Sequence, residues 1–119
     1  MAAPLCIDPA GYPTTVVSGA TTTGTGSSRI FSILSKQAGT RQLWLSMGPT
    51  SGTVSSCVVD IQASFDGGTT YRILQSGIDL VNAPSQQVTP PPSPGASLII
   101  NIDTLTGSGA TVNIIASSN

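Results

Sequence analysis

Cys57-Val58-Val59-Asp60-Ile61-Gln62-Ala63-Ser64-Phe65-Asp66-Gly67-Gly68-Thr69-Thr70-Tyr71-Arg72-Ile73-Leu74 reads as strand, tight turn, strand. Before the turn, Val59, Ile61 and Ala63 alternate with Val58, Asp60 and Gln62. After it, Tyr71, Ile73 and Gln75 alternate with Arg72 and Leu74. Successive side chains of a strand point to opposite faces, so period two on both sides of an Asp-Gly-Gly turn predicts a β-hairpin.

The same pattern continues in both directions. Downstream, Leu98, Ile100 and Ile102 share one register and Val112, Ile114 and Ala116 another. With Thr106-Gly107-Ser108-Gly109 between them, residues 97–103 and 110–116 predict a second hairpin. Ile99 and Ile115 on its opposite face predict cover on both sides. Upstream, β-branched and apolar residues predict strands over 12–18, 29–35, 41–47 and 53–64. Residues 70–75 form the returning strand, 78–81 a short further one, and Val88 the start of another. Residues 19–28 are a Gly/Thr/Ser loop, read as a surface tip. Pro90, Pro91, Pro92 and Pro94 cannot join a sheet interior and favour a stiff polyproline connection. No stretch shows helical periodicity over three turns. Seven or eight short strands punctuated by Gly and Pro predict an all-β fold. We expect a single-domain antiparallel β-sandwich or jelly roll over residues 12–119, preceded by an extended N-terminal arm over 1–11.

Composition narrows the function classes. The 119 residues suit one domain with a modest core. Only 8% are charged, the net charge is −1, and the chain holds neither His nor Glu. Free protein surfaces ordinarily carry roughly 25% charged residues. Either a hydroxyl-rich surface keeps this chain soluble, or much of that surface is covered in a permanent assembly. Arg29, Lys36, Arg41 and Arg72 are scattered, so no basic patch predicts nucleic-acid binding. No apolar run reaches membrane-spanning length. The first five residues lack the basic and apolar regions of a signal peptide, which predicts synthesis in a cytoplasm.

Chemistry has few candidates. A nucleophilic triad lacks its His, and Ser35 and Lys36 are neighbours whose side chains diverge. Asp60, Asp66, Asp79 and Asp103 are spread over turns and strand ends and make no evident glycosidase pair. Two cysteines without His make no zinc site. No catalytic residue, cofactor or metal is expected. Cys6 and Cys57 either bridge the arm to the sheet or remain free, Cys57 as a small buried apolar residue.

One constellation is specific. Ser64-x-Asp66-x-Gly68-x-Thr70-Tyr71 resembles the Asp-box Ser-x-Asp-x-Gly-x-Thr-Trp, with Tyr71 where Trp is usual. Asp66 is placed to accept amides across the turn, Gly67 and Gly68 to supply positive φ, Ser64 and Thr70 to bridge the strand ends, and Tyr71 to pack beneath. In Asp-box proteins this is a structural turn.

Residues 57–119 as a whole resemble small bacteriophage virion proteins. In these an apolar strand leads into Ser-x-Asp-Gly-Gly-Thr-Thr-Trp and a second apolar strand follows. Later comes a pattern like Asn-x-(apolar or Thr)-x-Leu-Thr-Gly and a closing Thr-Val strand. Here the pieces are residues 64–71, Asn101-Ile102-Asp103-Thr104-Leu105-Thr106-Gly107, and Thr111-Val112-Asn113-Ile114. The resemblance is to capsid decoration, or cement, proteins. It implies a non-enzymatic virion component that binds the outer capsid lattice, with the major capsid protein and copies of itself as partners. Leu5, Ile7, Tyr12 and Pro91 are the expected partner contacts. The alternative expectation is a carbohydrate- or receptor-binding β-sandwich module of a phage fibre or tail, with Trp44, Tyr12 or Tyr71 stacking on a sugar.

Overall fold

The computed structural model describes residues 5–7, 13–33, 42–88 and 96–118. These hold eight strands and no helix: β1 (Leu5–Ile7), β2 (Thr14–Ala20), β3 (Phe31–Ile33), β4 (Leu43–Met47), β5 (Ser51–Ser64), β6 (Arg72–Asp79), β7 (Ser85–Val88) and β8 (Ser97–Ser118). Apart from a parallel β1–β3 pair, every pairing is antiparallel. The all-β sandwich expected from the strand pattern is present, nearly closed into a barrel-like shape.

Two sheets share β8. Its first part pairs with β5 on one side and β3 on the other, giving the order β1-β3-β8-β5-β6. Its last part pairs with β2 and β4, giving β2-β8-β4-β7. This corrects the expected second hairpin. Residues 97–118 are one strand of 22 residues, and 106–109 are not a reversal. At about 3.3 Å per residue it would extend about 70 Å, yet the molecule measures 42 × 27 × 24 Å. The strand must therefore bend, and Gly107 and Gly109 do the bending at φ 145° and 61°. Thr53 and Val54 of β5 pair there with Ser108 and Gly107 across register shifts. Bulges and glycines let a strand turn the corner from one sheet to the other.

Strand β5 follows its period. Cys57, Val59, Ile61 and Ala63 are fully buried, packed with Leu98, Ile100 and Ile102 of β8 and with Phe31, Leu43, Leu45, Val112 and Ile114. On β6, Leu74 packs against the core and Ile78 is buried, while Ile73, opposite Gln62, is exposed. Val16 and Val17 are both buried despite being adjacent, and β2 carries a shift between Thr15 and Val17.

Two smaller expectations are corrected. Ile78 and Asp79 end β6 rather than open a strand, and Leu80 and Val81 lie in the turn that follows. Val88 closes β7 rather than beginning a strand. Residues 12, 34, 35 and 41, expected in strands, and the expected polyproline connection over 90–94 lie outside the described residues.

The expected arm contains β1, which lies beside β3 with Cys6 opposite Ser32. Through Phe31, Leu98 and Ala63, that row meets β5 near Ser64. Cys57 is seven residues along β5 from Ser64, about 23 Å at strand spacing, far beyond the roughly 7 Å limit of a disulfide. Cys57 is a free, buried thiol, raised above its ordinary pKa by burial and by the nearby Asp79 charge.

Candidate functional site

The turn joining β5 to β6 closes on itself. The Ser64 hydroxyl donates to Asp66 Oδ1 at 2.7 Å and accepts the Gly68 N–H at 2.8 Å. Asp66 Oδ1 also accepts the N–H groups of Thr70 at 2.9 Å and Thr69 at 3.2 Å. The Thr70 amide first, then the Ser64 hydroxyl, hold the Asp66 carboxyl down to about 2, because each donor favours the ionised form. Gly67 and Gly68 adopt φ 78° and 96°, which no side-chain-bearing residue takes up readily. The Tyr71 ring is half-buried beneath, its hydroxyl 3.6 Å from where a Cβ on Gly68 would sit. Ser64, Asp66, Gly67 and Gly68 take the positions expected of them, Thr70 contributes its backbone N–H to Asp66, and the buried Tyr71 hydroxyl has no hydrogen-bond partner among the described residues. All of Asp66's bonding is local, so the motif acts as a clasp for the hairpin.

A second clasp escaped sequence reading. Asp79 Oδ1 accepts the N–H groups of Val81 and Asn82, and its Oδ2 accepts the Asn82 side-chain amide at 2.7 Å. The Asn82 backbone and side-chain amides hold the Asp79 carboxyl below its usual range. The Asp79-x-x-Asn82 spacing was the available signal.

Two further carboxylates lie among the described residues. Asp60 is only 5% exposed, its two oxygens taking Gln62 Nε2 and Asn101 Nδ2, each at 2.9 Å. Asp103 is exposed on β8. Among the described residues no three of His, Cys, Asp and Glu are grouped to hold a metal ion. An open depression of about 340 Å³ lies at the bend of β8, lined by Thr21, Leu105, Thr106, Thr111 and the glycines. It presents hydroxyls and backbone, with no charge and no aromatic ring.

The most distinctive surface lies on the outer face of the first sheet, beside the Asp66 turn. Phe31, Leu98 and Ala63 form a row across β3, β8 and β5 that points inward. The adjoining row must point outward, and register places Ile30, Ile99, Gln62 and Ile73 in it. Ile30 is 44% exposed and Ile73 59%, with half-buried Ile99 between them. Phe65, 53% exposed, follows Ser64 at the turn end of the same sheet. These three are the exposed large apolar side chains among the described residues. Ile30 and Ile73 lie three strand spacings of about 4.8 Å apart across that face, and Phe65 stands in the turn at its end. Beside them, among the described residues, β6 pairs with β5 alone.

Sequence reasoning missed this patch, because Ile30, Ile99 and Ile73 become neighbours only through sheet register. Of the expected contacts, Leu5 and Ile7 fall in β1, at the other edge of the same sheet. Tyr12 and Pro91 lie outside the described residues. Trp44 stands on β4 in the second sheet, opposite Gln87 and Ser117, and the structure does not join it with Tyr71.

No protein-family model, curated protein or solved structure matches this chain.

Proposed function

We propose that this chain is a non-enzymatic structural virion protein. In this reading it is a capsid decoration protein that binds the outer capsid lattice and ties neighbouring major capsid subunits together. The observation that carries the proposal is the outward row of Ile30, half-buried Ile99 and Ile73 on one sheet, with exposed Phe65 in the turn at its end, in a chain with 8% charged residues. Large exposed apolar side chains brought together by the fold mark interaction surfaces. A surface so poor in charge also loses little when it is covered, because few ions must be desolvated. The turn motifs and the resemblance of residues 57–119 to small phage virion proteins supply the partner class. Many weak contacts across a lattice would add by avidity.

The test is sedimentation of the purified chain with capsids of the virus that encodes it. The wild-type chain is expected to pellet with particles. A variant lacking residues 2–11 is expected to stay folded by circular dichroism and remain in the supernatant. The packed core runs from Val16 to Ala116, so the domain retains it. Full particle occupancy by the truncated chain would remove the arm from the interface.

A further inference from the structure

We infer that Asp66–Gly67 is a site of spontaneous isoaspartate formation that the folded turn holds in check. An aspartate followed by glycine is the dipeptide least hindered toward cyclisation, because no side chain shields the glycine nitrogen. Here that bond is exposed: Asp66 and Gly67 both face solvent, and no atom lies within 4 Å of where a Gly67 Cβ would sit. Crowding therefore does not protect it.

In the reaction the Gly67 backbone nitrogen attacks Asp66 Cγ. The N–Cγ bond forms, the nitrogen loses its proton, and one carboxyl oxygen leaves as water, giving a five-membered succinimide. Water then opens the ring. Attack at Cγ restores aspartate, while attack at the backbone carbonyl carbon leaves the chain running through Cγ as isoaspartate. Water is the only other reactant, and nothing is oxidised or reduced.

The turn opposes this at two points. To reach the Gly67 nitrogen, Cγ must rotate, and Oδ1 is tied to Ser64, Thr69 and Thr70. To lose water, the carboxyl must be protonated, and those donors favour the ionised form. Isoaspartate would also add a backbone atom to a turn whose hydrogen bonds fix the hairpin register. The protection thus guards the feature on which β5–β6 pairing depends.

The experiment ages the full chain at neutral pH and 37 °C, folded in buffer and unfolded in guanidinium chloride. Peptide mapping and isoaspartyl methyltransferase labelling measure isoaspartate at position 66. The expected order is unfolded wild type fastest, folded Ser64→Ala intermediate and folded wild type slowest. Circular dichroism confirms that the Ser64→Ala chain is folded. If that variant does not fold, the comparison of folded with unfolded wild type still decides. Equal rates in those two states, or no isoaspartate in either, would overturn the inference.

Discussion

Asp66 shows how much one side chain can organise. Its carboxylate gathers a hydroxyl and two amides, and its pKa falls to about 2. The unfolded chain would titrate near the ordinary aspartate value of about 3.9. Because the folded value is the lower one, the stability Asp66 adds is fully present above about pH 4 and is lost as the pH falls through about 2. Carboxyl carbon NMR across that range should show Asp66 titrating well below the ordinary aspartate value of about 3.9, and Ser64→Ala should move it upward. An Asp66 that titrates like a free aspartate in the wild-type chain would contradict the clasp. This residue was legible in the sequence because every partner it needs lies within four positions. Asp60 was not. Its partner Asn101 is 41 positions away and becomes a neighbour only once β5 and β8 are paired.

At the scale of the element, β8 is the member on which the architecture turns. Its periodicity was visible on both sides of residues 106–109, and its glycines read locally as a reversal. They instead relieve a close crossing. A Cβ on Gly107 would overlap the Thr53 carbonyl oxygen, and one on Gly52 the Gly109 carbonyl oxygen. Whether a Gly-x-Gly reverses a chain or bends it through a corner depends on which strand lies opposite, here β5, some 50 residues upstream. Gly107→Ala should therefore destabilise the fold by about 2 kcal/mol or more, from overlap and backbone strain together. Gly19→Ala has a similar backbone requirement and open space around it, and should cost about 1–2 kcal/mol. Urea denaturation of the two variants separates the effects, and equal midpoints would argue against a tight crossing. In the core of β5, Ile61→Ala should cost about 2–5 kcal/mol, since Ile61 is fully enclosed.

Across the whole molecule, two sheets sharing one bent strand leave, among the described residues, a partly exposed apolar row running from Ile30 to Ile73. The fold class was readable because strand periodicity and Gly/Pro punctuation are local. The patch was not, because Ile30, Ile99 and Ile73 come from three separate segments that only sheet register brings together. The proposed role rests on that patch, which yields a distinct expectation from the arm. Replacing Ile30, Phe65 and Ile73 by Ser should leave the melting temperature close to wild type, because these side chains are already largely exposed. The same variant should lose most particle binding, at up to about 1.5–3 kcal/mol for each apolar contact withheld. The most direct test of the central claim is quantitative sedimentation of the wild-type chain with capsids of the virus that encodes it, titrated to saturation. The account predicts saturable binding at a fixed ratio to the major capsid subunit. A chain that stays in the supernatant as a free monomer at every concentration would contradict it.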